Sequence, residues 1–154
     1  MRVLVCGLSG SGKTVLCTSL VEKDSSLTHI NADEVRGRHD DWDFSLEGRR
    51  RQLDRMISES EGDGIYLLDF ICPTQELRDA LDADVVIWMD TVRRSQYPDT
   101  DKLFEKPSDP DLIIDCFWED SVRKSRKLID AVMEQSCDKR RDGETNRAVS
   151  RAGC

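Results

Sequence analysis

Residues 7–14, GLSGSGKT, satisfy the spacing G-x-x-x-x-G-K-[ST], a pattern suited to holding the phosphates of a nucleoside triphosphate. Gly7, Gly10 and Gly12 allow the backbone to curl, so that successive N–H groups, those of Ser9 and Ser11 among them, converge on phosphate oxygens. The N-terminus of a following helix adds favourable potential for the anion. Lys13 can reach the terminal phosphates, and the Thr14 hydroxyl is the candidate metal contact, for Mg2+. These seven residues are the expected ATP contacts, with Lys13 also a candidate catalytic group.

A second cluster, NADEVR (31–36), places Asp33 and Arg36 three residues apart, on one face of a helical turn. A carboxylate there could orient or deprotonate an acceptor hydroxyl, or hold a magnesium-bound water, while the arginine binds an anion. Asp33 is therefore the second candidate catalytic residue.

Both clusters need a scaffold that brings them to one edge. RVLVC (2–6), LTHI (27–30), IYLLDF (65–70), DVVIWMD (84–90) and DLIID (111–115) read as short buried strands. Helical spacing marks 12–23, 44–60 with Ser45 as cap, 73–81 with Pro73 in its first turn, and 119–135. Alternating strands and helices predict an α/β chain: a P-loop NTPase-type three-layer α/β/α sandwich with a central parallel sheet. Ligands on such sheets gather at the carboxyl ends of strands, and the polar clusters follow predicted strands.

Residues 91–110 contain three prolines and many charges, and a connection of that length predicts a lid. The expected layout is a kinase-sized domain over 1–137, followed by a polar, flexible tail over 138–154.

Composition narrows the chemistry. A net charge of −8 over 154 residues argues against coating nucleic acid by bulk positive charge. Six cysteines occur without a CxxC pair, which predicts reduced thiols rather than zinc or dithiol chemistry. No window is apolar enough to span a membrane, so a soluble cytoplasmic protein is expected. No NKxD follows a later strand, as a guanine reader would require, and the chain is short for a large ATPase. A small kinase that phosphorylates a bound hydroxyl fits best; a homodimer stays open.

In order and spacing, GLSGSGKT, NADEVR, FSLEGR (44–49), FICPTQELR (70–78) and PDLIID (110–115) resemble adenylylsulfate kinase over roughly residues 2–135. That family phosphorylates the ribose hydroxyl of adenosine 5′-phosphosulfate with MgATP. The resemblance implies that Asp33 and Arg36 match the second acid of an Asp-Gly-Asp motif and its following arginine. It further implies that Phe44 stacks on the acceptor's base, that Arg36, Arg49 and Gln52 hold its anionic and polar groups, and that Arg78 matches a later arginine of the family. Lys102 and Lys106 stand where lid bases belong.

The chain also departs from the family. Asn31 replaces the first acid of Asp-Gly-Asp, Gly48 replaces the acid of Phe-Ser-x-x-Asp-Arg, Cys72 replaces a serine, and the lid is shorter. Asp69 stands where the family residue is usually neutral. The phosphoryl-transfer half is thus retained and the acceptor half altered.

An alternative acceptor follows from the short lid. Compact kinases of bacterial viruses phosphorylate 5-hydroxymethyluracil within DNA, and this chain resembles them in shape. Under that reading Arg38, Arg49 to Arg51, Arg93, Arg94 and the tail residues Lys139, Arg140, Arg141, Arg147 and Arg151 would track phosphates, with DNA as partner. A nucleotide-binding module without catalysis is the third reading.

Overall fold

The structure, a computed structural model, describes residues 1–116 and 119–151, with side chains described for 1–116 and 120–138. Five strands, β1 (Arg2–Cys6), β2 (Leu27–Asn31), β3 (Ile65–Asp69), β4 (Val85–Met89) and β5 (Leu112–Ile114), form one sheet. Its order is β2-β3-β1-β4-β5, and every pairing is parallel. The central strands β1 and β4 are buried on both faces, which is why they read as continuous apolar runs rather than alternating ones, whereas the edge strands β2 and β5 keep exposed positions.

Alternation along β1 assigns the two faces. Val3 and Val5 point to one core, with Leu16 and Leu20 of α1 (Lys13–Lys23) and Ile129 of α6 (Glu119–Arg151). Leu4 and Cys6 point to the other. There they meet Val35 of α2 (Ala32–His39), Leu53 and Met56 of α3 (Leu46–Glu59) and Leu77 of α4 (Gln75–Leu81). This is the expected three-layer α/β/α sandwich, and it sets every strand's carboxyl end along one edge.

Local chemistry explains the element boundaries. Ser45 caps α3 by accepting from the Gly48 N–H at 3.2 Å, as its position predicts. Pro73 stays outside α4, which Thr74 caps instead by accepting from the Leu77 N–H. The helical turn at Asp33 extends into all of α2, in which Ala32, Glu34, Arg36 and Arg38 are good helix formers and Gly37 is a poor one. Its ends stabilise it: the Asn31 Oδ1 accepts from the N–H groups of Asp33 and Glu34, acids fill its first turn and bases its last.

Two segments differ from the sequence expectation. The segment 91–110, expected to be a lid, contains a short helix, α5 (Pro98–Leu103), started by a proline in its first turn. The last helix does not stop at 135 but runs to Arg151, across most of the segment expected to be a flexible tail. The apolar stripe ends before the helix does, and the continuing sequence has no proline to end it. Residues 152–154 of that expected tail lie outside the described residues. Cys6, Cys17, Cys72, Cys116 and Cys137 are free thiols, and burial pushes that of Cys6 up to about 12. Among the described residues, no helix is long and apolar enough to cross a membrane.

Candidate active site

The cradle lies where the sheet order reverses, between β1 and α1. Gly7 has φ +147°, and a Cβ there would stand 2.5 Å from the Met89 carbonyl oxygen of the neighbouring strand, so only glycine fits. Gly12 takes the left-handed conformation as N-cap of α1. Lys13 is buried and donates from Nζ to the Leu8 carbonyl at 2.9 Å. Burial lowers its pKa, opposed by the charges of Asp69 and Asp33. The Thr91 hydroxyl, at the start of the 91–110 segment, donates to the Ser11 carbonyl at 2.6 Å and ties that segment to the cradle.

The acid closest to the cradle is Asp69, at the end of β3. It accepts from the Thr14 hydroxyl at 2.6 Å and from the Asn31 amide at 2.7 Å, with His29 Nε2 at 3.2 Å. Burial pushes its carboxyl up, but the His29 and Thr14 hydrogen bonds and the Lys13 charge outweigh burial and hold it below its ordinary value. The sequence marks Asp69 as the start of a polar cluster after a strand and as a departure from the family, and an acid ending an apolar strand is itself a signal for a carboxylate that could face a metal. Thr14 and Asp69 together offer hard oxygen donors of the kind Mg2+ takes, with phosphates and water completing its shell. No group of three or more His, Cys, Asp or Glu able to hold a metal occurs among the described residues, so the donor set fits a phosphate-bridged ion rather than an all-protein cage.

A cavity of about 130 Å³ joins the cradle to the acceptor wall, lined by Ser9, Gly10, Lys13 and Thr14 on one side and Asp33, Arg36, Phe44 and Arg49 on the other. A larger one of about 750 Å³ shares Ser9, Asp33, Phe44, Arg49 and Ile71 and opens toward Trp42, Tyr97 and Thr100. Phe44 is half exposed rather than a core residue. The Arg36 and Arg49 guanidiniums lie 4.6 and 5.7 Å from its ring centroid, a cation–π arrangement, so the ring orients two cations as well as offering a surface.

These two arginines are 3% and 6% exposed, yet neither has a carboxylate within ion-pair distance among the described residues. Arg36 donates to the carbonyls of Asp41 and Asp43, at 3.0 and 3.1 Å. Arg49 donates to the Phe44 carbonyl at 2.9 Å and to the Thr100 hydroxyl at 3.2 Å. Burial lowers the pKa of both. Buried cations that meet only neutral acceptors form a site for an incoming anion.

The other residues assigned to the acceptor do not join them. Gln52 is fully buried behind the wall, its Nε2 donating to the Ala32 carbonyl at 2.9 Å. Arg78 is a buried residue of α4, where it donates to the carbonyls of Cys72 and Glu105, both at 2.8 Å, and so clasps the end of the segment expected to be a lid. Lys102 is exposed and lies 4.0 Å from Asp99. The resemblance that assigned these three to the acceptor matches positions along the chain and does not tell whether a side chain faces the cavity or the core. At Gly48, a Cβ would stand 2.2 Å from the Asp43 carbonyl oxygen, so the missing acid of that motif would not fit this loop.

Of the six arginines with described side chains considered for tracking a nucleic-acid backbone, four are engaged by acids: Arg38 by Glu59, Arg50 by Glu76, Arg51 by Asp41 and Asp43, and Arg93 by Asp90. The side chains of Lys139, Arg140, Arg141, Arg147 and Arg151 lie outside those described.

No family model and no curated protein matches the chain. Solved structures match it in fold. The APS kinase of Mycobacterium tuberculosis, in complex with AMPPNP and APS, is 20% identical at a TM-score of 0.67, over 84% of this chain and 96% of that one. A gluconokinase from Sinorhizobium meliloti is 13% identical at 0.62, over 92% and 96%. The shikimate kinase of Aquifex aeolicus is 15% identical at 0.60, over 85% and 97%. The chain therefore has the α/β fold of these P-loop kinases.

Proposed function

We propose that the protein is an ATP-dependent kinase that transfers the γ-phosphoryl group to a hydroxyl of a small anionic acceptor, with adenosine 5′-phosphosulfate the first candidate. One observation carries this reading: Arg36 and Arg49, buried without carboxylate partners, share a cavity with Lys13, Thr14 and Asp33. Cations that need an anion thus stand next to a phosphate cradle, with a carboxylate between them.

Each group has a role in that geometry. The cradle amides and Lys13 hold the β- and γ-phosphates and stabilise charge on the transferring group. Asp33, on the wall common to both cavities, orients the acceptor hydroxyl and takes its proton as the new oxygen–phosphorus bond forms and the bond from the γ-phosphorus to the bridging oxygen breaks, that oxygen leaving with ADP. Arg36 and Arg49 hold the acceptor's anion, and Phe44 offers a flat surface to its ring. Thr14 and Asp69 would hold Mg2+, which would neutralise phosphate charge when bound. The engaged surface arginines favour a small acceptor over a base in DNA.

The test supplies γ-labelled ATP with adenosine 5′-phosphosulfate or, in a second arm, hydroxymethyluracil DNA. Label on the phosphosulfate, lost in Lys13→Ala, is expected. Label on DNA alone would transfer the reading to the polymeric acceptor. Binding of MgATP with no labelled product from either would leave a nucleotide-binding module.

A further inference from the structure

We propose that Thr100, on the lid, is a positioning and specificity residue: its hydroxyl and the Arg49 guanidinium form one donor pair for the acceptor's anion, and so bring the lid over the acceptor. This rests on the reading of Arg36 and Arg49 as the acceptor's anion site.

The lid is fastened at both ends without Thr100. At its start Thr91 donates to the Ser11 carbonyl. At its end the Glu105 N–H donates to the Pro73 carbonyl at 2.7 Å, and Arg78 donates to the Glu105 carbonyl. Between them, Ser95 bonds to Asp101 and Lys102 lies near Asp99, contacts that stay within the lid. Among the described residues, the bond from Arg49 to Thr100 is the one hydrogen bond joining residues 92–103 to the body of the domain.

Thr100 is also the buried residue of α5, and it lines the larger cavity with Arg49, Phe44 and Asp33. A threonine hydroxyl accepts and donates. Here the oxygen accepts from Arg49 Nη2, and the hydroxyl hydrogen meets no protein acceptor among the described residues. Arg49 has five N–H donors, of which Nε is used by Phe44 and one on Nη2 by Thr100. The remaining donors and the hydroxyl hydrogen are therefore available together at a buried, cation-rich wall. An oxyanion placed there would take bonds from α3 and from α5 at once, so anion occupancy and lid position become a single event.

The test uses inorganic sulfate as probe and the full chain in three forms: wild type, Thr100→Val, which keeps shape but removes the hydroxyl, and Thr100→Ser, which restores it. Amide hydrogen exchange of residues 92–103 is followed while sulfate is titrated. Sulfate is expected to slow exchange in wild type and Thr100→Ser, and to require roughly ten-fold or more higher concentration in Thr100→Val, as for a lost hydrogen bond to a charged group. With a turning-over acceptor, Thr100→Val should raise the acceptor KM by a similar factor and leave the ATP KM unchanged. Equal sulfate responses in wild type and Thr100→Val, or no response in wild type, would overturn the proposal. Failure of the kinase reading would show separately, as absence of labelled product, because the exchange measurement needs no turnover.

Discussion

Asn31 and Asp69 are register partners across β2 and β3, and the Asn31 amide donates to the Asp69 carboxylate at 2.7 Å. The resemblance to adenylylsulfate kinase leads one to expect an acid at 31 and a neutral residue at 69. Here the two are exchanged. In a parallel pair, residues in register sit side by side at the carboxyl edge, so a carboxylate can change strand and still reach the same place. Asp69 does reach it, 2.6 Å from the Thr14 hydroxyl.

This exchange makes a reciprocal prediction. Asp69→Asn should weaken Mn2+ binding to the protein–ATP complex by about 10–100-fold, measured by electron paramagnetic resonance. Asn31→Asp added to that variant should recover much of the loss. Unchanged Mn2+ affinity in Asp69→Asn would remove the carboxylate from the metal site.

Arg49→Ala should raise the acceptor KM by roughly ten-fold or more while the ATP KM moves little, because Arg49 lines the larger cavity with Phe44 and Thr100, which Lys13 and Thr14 of the cradle do not reach. Steady-state kinetics varying each substrate in turn checks this. A larger effect on ATP would place the guanidinium on the phosphates instead.

Arg78→Ala should act on stability. It strips the Cys72 and Glu105 carbonyls of their donor, a loss of about 1–3 kcal/mol by the cost of unpaired buried groups, read from denaturant unfolding. The acceptor KM of the folded fraction should stay close to wild type, in contrast with Arg49→Ala.

The acid limb of stability should carry the signature of Asp69. Burial pushes its carboxyl up, yet His29, Thr14 and Lys13 hold it below its ordinary value. The unfolded chain therefore takes the proton more readily. The stabilisation is complete above the ordinary aspartate value of about 3.9 and is lost as pH falls through the lower, folded value. Thermal midpoints of wild type should accordingly fall more steeply with acid than those of Asp69→Asn below about pH 4. Parallel curves would rule out a depressed carboxyl at this position.

The sequence alone determined the cradle and the sheet. Residues 7–14 are contiguous, and their glycines prescribe the backbone path directly; the apolar runs at 2–6, 65–70 and 84–90 could be satisfied only by strands buried on both sides. Ser45 as cap was legible for the same local reason. The tertiary structure decided which polar side chains meet. The resemblance assigned Arg49, Gln52 and Arg78 to one site, but only packing of α3 and α4 against the sheet turned Arg49 to the cavity, Gln52 to the core and Arg78 to the Glu105 carbonyl. Asp69 and Thr14 are far apart in the chain and touch because β3 pairs with β1. Periodicity reports the face a residue takes on its own element, whereas a site depends on where several elements' faces converge, and that is settled by the packing of the whole chain.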